Sequence, residues 1–386
     1  MKFDFETLTD RRGTGSLKWD KYAGRDILPM WVADMDFRAP PCVTAALARR
    51  VEHGVFGYTK PYAEVTDATL AWLAHRHGVE AKAEWITWFP GLVPSLNVVC
   101  RAFGESGDEV IAFTPVYPPF LSAPGFSDRK SVPVPLALEG DRWSVDMARL
   151  DAAFTPRTRV LIFCNPHNPV GRVFTEGEVA EVAELCARRG VVFCSDEIHA
   201  DLVLSPSHHY CALKLGGKAA AHTMVQMAPS KTFNIPGLSC ALMVIPDQVL
   251  RQAVSRAARG IITEVNAMGY TACAAAFREG EPWRQALLGV LRGNRDFLYD
   301  FVAREMPQIR LRPMEATYLA WLDCRGLGLD DPASFFEKGG VGLSDGRMFG
   351  SGGEGFVRLN FGCPRTQLEE ALRRMKVALE AVGSEQ

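Results

Sequence analysis

Short apolar runs alternate with helically spaced runs through the middle of the chain. The apolar runs predict seven strands, near residues 85–89, 109–113, 130–135, 159–164, 191–195, 222–227 and 240–245. Helical spacing is found near residues 93–103, 145–154 and 175–188. This alternation predicts an α/β fold with a mainly parallel seven-stranded sheet covered by helices on both faces. Because only a Pro-Gly turn separates the last two strands, we expect the last one to run antiparallel at an edge.

The two ends of the chain follow different patterns. Residues 1–45 are mostly irregular, whereas residues 283–386 mix a long helical run with short strand-like runs. We therefore predict a large domain over residues 46–282 and a smaller α+β domain over residues 283–386, with residues 1–45 as an arm and the start of the small domain. Further helices are predicted near residues 41–52, 62–76, 248–259 and 262–277.

Composition limits the class of protein. Of the 386 residues, 47% are hydrophobic and 23% charged, as in ordinary globular proteins, and the net charge is −2. With no long run of one charge sign, neither a nucleic acid nor a membrane surface is predicted as a partner. The ten cysteines are scattered without a C-x-x-C pair, and no signal core or long apolar run occurs. We therefore expect a cytoplasmic protein with reduced cysteines.

Small and polar residues gather where the predicted strands end. They lie at residues 90–95, 114–117, 165–171, 195–199 and 227–239. Gly, Pro and Asn end strands for steric reasons, so one such stretch alone indicates little. However, ligands of open α/β sheets bind beyond the carboxyl ends of strands. An aromatic ring, an amide, a carboxylate and an amine at the ends of one sheet therefore predict a ligand site.

Lys231 is the most informative residue among these. It is the only cation between Lys218 and Arg251, and apolar segments flank it. Most lysines are solvated surface residues, so by itself Lys231 predicts nothing more. In apolar surroundings, however, desolvation lowers the pKa of the amine and makes it a nucleophile.

The side chains at the strand ends match the functional groups of pyridoxal 5′-phosphate. The turn at Gly91 offers N–H groups at a helix N-terminus for the phosphate, and Tyr117 can stack on the ring. Asp196 can pair with the protonated ring nitrogen, and Asn168 can donate to the phenolate oxygen. Lys231 can condense with the aldehyde.

Seven stretches, in order along the chain, resemble one enzyme family. They are MWVADMDF at 30–37, FGYT at 56–59, TPVYPPF at 114–120, CNPHNPVGRVFT at 164–175, SDEIHADL at 195–202, PSKTFNIPGL at 229–238 and VRLNFGCPR at 357–365. The chain resembles fold-type I pyridoxal-phosphate enzymes of the aspartate-aminotransferase superfamily, and within them the cystathionine β-lyase (cysteine C–S lyase) branch. The resemblance implies an aspartate-aminotransferase-like fold whose large domain binds the cofactor.

The resemblance also implies roles for particular residues. Catalytic roles are implied for Lys231, Asp196, Tyr117 and Tyr58. Cofactor binding is implied for Gly91, Leu92, Val93, Tyr117, Asn168, Asp196, His199, Ser230, Lys231 and Tyr58. Substrate binding is implied for Arg358, Ala33 and Asn168. Tyr58 matches a tyrosine that reaches the phosphate in the neighbouring subunit, which implies a homodimer with shared active sites.

Three positions depart from the aminotransferase pattern. Ala228 replaces a serine, Ser239 replaces a phosphate-binding arginine, and His199 replaces a tyrosine. Loss of the arginine and the presence of the histidine are similar to the lyase branch. The resemblance therefore implies α,β-elimination from cystathionine or a related cysteine thioether, giving a thiol, pyruvate and ammonia. An aminotransferase is the alternative, and a non-catalytic regulator of the same fold is a third hypothesis.

A metal site is a rival interpretation of five of these polar residues. Asp196, His199, Asp201, His208 and His209 offer metal-binding atoms, but their spacing fits no standard zinc motif, so no metal is predicted. Asp345 and Arg347, in the Gly-rich segment 339–355, are predicted to be solvated loop residues.

Overall fold

A seven-stranded sheet forms the centre of the protein. A computed structural model describes residues 3–204 and 206–383 of the chain. The strands are β1 Ile86–Phe89, β2 Glu109–Thr114, β3 Lys130–Pro135, β4 Thr158–Cys164, β5 Val192–Asp196, β6 Thr223–Met227 and β7 Ala241–Val244. Their order across the sheet is β1-β7-β6-β5-β4-β2-β3. The predicted α/β fold class and its mainly parallel sheet are confirmed.

The position of β7 differs from the prediction. β7 does run antiparallel to its neighbours, but it lies between β1 and β6 and not at an edge. β1 pairs with the outer side of β7, so that β7 is hydrogen-bonded to a strand on each side. The order of strands depends on this long-range pairing, which the short turn before β7 does not determine.

Helices cover both faces of the sheet. The helices are α1 Leu17–Asp20, α2 Pro41–His53, α3 Ala63–His77, α4 Leu92–Ala102, α5 Pro119–Ser122, α6 Met147–Ala153, α7 Glu176–Arg189, α8 Gly217–Ala221, α9 Pro229–Thr232, α10 Gln248–Ala258, α11 Ala267–Glu279, α12 Glu281–Glu305, α13 Pro332–Lys338 and α14 Arg365–Gly383. Successive strand residues enter different cores: Ile111 and Leu161 pack in one, Val110 and Val160 in the other. Burial on both faces explains why the central strands are nearly continuous apolar runs.

One helix begins later than its periodicity suggests. The prediction over residues 262–277 is wrong at its start, because α11 begins at Ala267. The side chain of Asn266 accepts a hydrogen bond from the backbone N–H of Gly269 and caps the helix there. An N-cap of this kind outweighs apolar spacing in the residues that precede it.

A smaller antiparallel sheet lies in the C-terminal part of the chain. Its strands are β8 Arg310–Leu311, β9 Leu319–Asp323, β10 Ser344–Asp345 and β11 Phe356–Asn360, in the order β8-β9-β11-β10. Strand β10 was not predicted, because its two residues lie in a Gly-rich segment without alternation. A separate two-stranded hairpin pairs Ala137–Glu139 with Arg142–Ser144.

The arm is joined to the smaller sheet region by strand pairing. Leu28–Pro29 pairs in parallel with Val341–Gly342. This contact supports our proposal that residues 1–45 include the start of the small domain, with the large domain over 46–282 and the small one over 283–386. Residues 1, 2, 205 and 384–386 of these predicted ranges lie outside the described part of the chain.

Two expectations from composition concern the cysteines and membrane segments. All ten cysteines are free thiols, and all except Cys42 are buried. Across residues 3–204 and 206–383, none of the helices is long and apolar enough to cross a membrane.

A buried ion pair joins two parts of the N-terminal arm. The Nζ of Lys18 lies 2.7 Å from Oδ2 of Asp36, and both side chains are fully buried. Asp36 also accepts hydrogen bonds from Arg11, Trp19 and Gln367. Burial alone would raise the pKa of the Asp36 carboxyl, but Lys18, Trp19 and Arg11 together hold it below its usual value.

Replacing Lys18 should destabilise the fold. Lys18→Met leaves the buried Asp36 carboxylate without its closest cation, and we expect the free energy of unfolding to fall by about 3 kcal/mol. Urea unfolding at neutral pH measures this. The control Lys130→Met changes an exposed lysine and should stay within about 0.5 kcal/mol of the parent. Equal stability of the two variants would contradict a structural role for the ion pair.

Candidate active site

The carboxyl ends of the parallel strands open into a cavity of about 440 Å³. Volumes of this size are typical of small-molecule sites. The predicted site residues that line the cavity are Ala33, Gly91, Leu92, Val93, Tyr117, Asn168, Asp196, His199, Ser230, Lys231 and Arg358. The fold therefore brings together residues that are more than 300 positions apart in sequence.

Tyr58 is the predicted residue that does not line the cavity. It lies between α2 and α3, and its side chain is fully exposed. Its predicted contact with the site of a neighbouring subunit stays a prediction.

Lys231 follows β6 in the short helix α9 and reaches the cavity wall. Its Nζ donates a hydrogen bond of 2.6 Å to the backbone carbonyl of Ala33. Burial lowers the pKa of the amine to about 8; Arg358 acts in the same direction, while Asp34 and Asp196 oppose the shift. The amine is therefore partly neutral near neutral pH, as a nucleophile or proton acceptor requires.

Asp196 is the last residue of β5 and is buried. Burial raises the pKa of its carboxyl to about 7, and the negative charge of Glu197 acts in the same direction. A hydrogen bond of 3.1 Å from the backbone N–H of Ile198 to Oδ1 and the charge of Lys231 limit the shift. A cationic partner in the cavity would return this carboxyl to its ionised form.

Arg358 enters the cavity from β11 of the smaller sheet. Its Nη1 donates to Oδ1 of Asn168 over 3.0 Å, and its Nη2 donates to the carbonyl of Trp31 over 2.9 Å. The guanidinium carbon also lies 4.9 Å from the ring centre of Phe349. Because Oδ1 of Asn168 accepts from Arg358, its amide nitrogen is left to donate to a ligand. Burial lowers the pKa of Arg358 to about 10, so it stays charged at neutral pH.

The turn after β1 leads directly into α4. Gly91 precedes the helix with φ +154°, a conformation that side chains disfavour. Gly91, Leu92 and Val93 line the cavity at the start of this helix, where the first backbone N–H groups have no partner within the helix and suit an anion. The hydroxyl of Ser95 is engaged elsewhere, since it hydrogen-bonds to the Leu92 carbonyl and the Gln226 side chain.

Two ring side chains complete the interior of the cavity. His199 lies edge-on to Tyr318, with 6.3 Å between the ring centres. Burial lowers the pKa of His199 to about 3, with Lys231 and Arg358 acting in the same direction, so its imidazole is neutral. Tyr117 lines the same cavity, and burial raises the pKa of its phenol.

Three positioning residues were not predicted from the sequence. Tyr318 donates its hydroxyl to the Ala33 carbonyl over 2.9 Å. The Asn360 amide donates to the carbonyls of Val32 and Asp34, and the Asn234 amide to those of Met35 and Phe37. Both asparagines lie in stretches that carry the family resemblance, although nothing in the sequence indicated their partners. Tyr318 lies beside an apolar strand and gave no signal.

The residues of the rival metal interpretation do not converge on one point. His209 Nε2 lies 2.7 Å from Glu197, and Asp201 accepts from Trp72 Nε1 over 3.0 Å. His208 is exposed. Within the described ranges, no three His, Cys, Asp or Glu side chains are arranged to hold a metal ion.

The predicted loop residues Asp345 and Arg347 lie near the surface. Arg347 is half-exposed and forms ion pairs with Asp345 and Asp331. Asp345 differs from the prediction in one respect, because its backbone belongs to β10.

Comparison with known proteins shows the family to which the chain belongs. The family model for aminotransferase class I and II matches residues 25–375. The chain therefore belongs to this family, and the predicted superfamily is confirmed.

Individual relatives match nearly the whole chain. Cystathionine beta-lyase PatB of Bacillus subtilis is 39% identical over 385 residues, covering 97% of this chain and 100% of the relative. The solved structure of OvoB is 44% identical with a TM-score of 0.94, covering 98% of this chain and 99% of that one. The PLP-bound C-S lyase from Staphylococcus hominis is 31% identical with a TM-score of 0.91, over 98% and 99% of the two chains.

The lowered pKa of Lys231 predicts a pH-dependent effect on stability. Burial disfavours the charged amine, so Lys231→Met should stabilise the cofactor-free protein at pH 7. The folded-state pKa, about 8, lies below the unfolded value of 10.5. The charged amine therefore destabilises the folded state by its full amount below pH 8. The gain in unfolding free energy of Lys231→Met should fade as the pH rises from 8 toward 10.5. Urea unfolding at pH 7 and pH 10 measures this difference.

The matched control is Lys218→Met, which changes an exposed lysine on α8. It should alter stability little at either pH. A Lys231→Met effect that is the same at both pH values would show that burial does not lower the pKa of Lys231.

Proposed function

We propose that this protein is a pyridoxal-phosphate-dependent C–S lyase that cleaves cystathionine or a related cysteine thioether by α,β-elimination. The observation that carries the proposal is that Lys231, Asp196 and Arg358 line one cavity at the strand ends. The full-length similarity to PatB and to the Staphylococcus hominis C-S lyase supports the same reaction class.

The groups around the cavity fit pyridoxal 5′-phosphate. Arg358 Nε and His199 Nδ1 are buried polar atoms without a hydrogen-bond partner in the described part of the protein, which is typical of a site built for a polar ligand. We assign the aldehyde to Lys231, the ring nitrogen to Asp196, the phenolate oxygen to Asn168 with His199 near it, the ring face to Tyr117, and the phosphate to Gly91, Leu92, Val93 and Ser230. When bound, this cofactor supplies an electron sink for negative charge at the substrate α-carbon.

Each charged side chain has a separate role in the proposed reaction. Arg358 binds the substrate α-carboxylate with its planar guanidinium, and the Ala33 segment forms the adjacent wall. Lys231 accepts the α-proton at Nζ, for which its lowered pKa suits it. Asp196 keeps the ring nitrogen protonated by its negative charge. The Cβ–S bond then breaks, and the leaving thiolate takes up a proton to become the thiol, for which protonated Lys231 is the donor. The three-carbon fragment that remains keeps its amino nitrogen, and one water molecule hydrolyses it to pyruvate and ammonia.

Amino transfer is the second candidate, because the family description names aminotransferases. Removal of the α-proton is common to both reactions. Ser239 favours elimination, since it lines the cavity where the aminotransferase pattern has a phosphate-binding arginine.

We further propose that the enzyme works as a cytoplasmic homodimer whose active sites are shared. The loop between α2 and α3 exposes Val55, Phe56 and Tyr58, and adjacent exposed apolar side chains are typical of an interface. The ten free thiols support a reducing compartment.

The reaction products test the proposed function. The protein loaded with pyridoxal phosphate should release pyruvate and a free thiol from cystathionine or another cysteine thioether without any added 2-oxo acid. Lactate dehydrogenase coupling detects the pyruvate, and a thiol reagent detects the second product. Turnover that requires 2-oxoglutarate would instead identify an aminotransferase, and absence of pyruvate from every cysteine thioether would contradict the lyase proposal.

A further inference from the structure

Three apolar side chains line the cavity and yet remain exposed, so they lie at its opening. Leu17 is 72% exposed, Met348 60% and Val93 38%. Single exposed apolar side chains are common on protein surfaces, but three around one opening indicate a contact surface for an apolar group.

Two aromatic residues form the wall behind these side chains. The Nε1 of Trp31 donates to the Lys18 carbonyl over 3.1 Å, which fixes the orientation of the indole. Phe349 is buried, and its ring centre lies 5.2 Å from that of Trp321. Both rings are therefore held in place before any ligand binds, so little conformational entropy is lost on contact.

The positively charged side chains near the cavity opening already have partners or assigned roles. Among the described residues of one subunit that line the cavity, Lys231 and Arg358 are the cations, and the proposed function assigns them to the cofactor and to the substrate α-carboxylate. Arg347, next to Met348, is 2.6 Å from a carboxylate oxygen of Asp331 and 2.6 Å from one of Asp345.

Lys21 is a further cation close to this wall. Its Nζ lies 4.6 Å from the ring centre of Trp31 and 4.8 Å from that of Tyr22, and it does not line the cavity. Its ammonium group is therefore held against two aromatic rings.

We infer that the preferred substrate is a cysteine thioether whose sulfur substituent is apolar and uncharged, held by Leu17, Trp31 and Met348. This inference rests on the proposed function and narrows its substrate class. An apolar substituent gains free energy by burial against these side chains. A substituent with its own carboxylate, as in cystathionine, would lose hydration there without gaining a cation from the cavity lining.

Two synthetic substrates of the same shape test the inference. S-(3-Methylbutyl)-L-cysteine and S-(2-carboxyethyl)-L-cysteine share one heavy-atom skeleton, and only the second carries a charge on the sulfur substituent. With the full-length enzyme loaded with pyridoxal phosphate, kcat/KM from pyruvate release should be at least about tenfold higher for the methylbutyl substrate. Equal or higher kcat/KM for the carboxyethyl substrate would overturn the inference while leaving the lyase function intact. Absence of pyruvate from both would count against the proposed function itself.

A charge-introducing variant locates the preference at the opening. Met348→Lys places a cation beside the substituent and should reduce the preference for the methylbutyl substrate by about fivefold or more. Val249→Lys is the matched control, because Val249 is 70% exposed on α10 and does not line the cavity. It should leave the preference unchanged. Identical preferences in Met348→Lys and Val249→Lys would overturn the assignment of Met348.

Discussion

The hydrogen bond from Lys231 to the Ala33 carbonyl is the interaction on which the site depends. An amine withdrawn from water needs an acceptor, and here a backbone oxygen at 2.6 Å provides one without a full negative charge. A carboxylate at this distance would hold the proton on the amine and raise its pKa. A neutral acceptor instead allows burial to lower the pKa, so Lys231 is held in position and remains reactive.

Three side chains set the position of the Ala33 carbonyl. Tyr318 donates a second hydrogen bond to the Ala33 carbonyl. Asn360 binds the carbonyls of the two residues that flank Ala33, and Asn234 binds carbonyls of the segment that follows them. Strand β11 contributes both Asn360 and Arg358, so the smaller sheet positions the Ala33 wall together with the proposed carboxylate clamp. The large domain supplies Asp196, at the end of β5, and Lys231, in helix α9 after β6. The site is thus complete only when arm, large sheet and small sheet are packed together.

Sequence alone predicts the parts of this site that follow from the geometry of a parallel sheet. Strand ends meet at one edge, so Tyr117, Asn168, Asp196 and Lys231 could be expected together before any coordinates were known. The Ala33 carbonyl could not be expected as an acceptor, because every residue has a backbone oxygen and side-chain chemistry gives no indication of its partner. The same limit applies to Tyr318, whose role depends on a contact nearly 300 residues away in sequence.

The central claim is that Lys231 holds the cofactor covalently. Borohydride treatment of the protein loaded with pyridoxal phosphate, followed by peptide mass spectrometry, tests it most directly. The account predicts a cofactor adduct on the peptide that contains Lys231, and loss of both this adduct and the visible absorbance band in Lys231→Ala but not in Lys218→Ala. An unchanged band and adduct in Lys231→Ala would contradict the account.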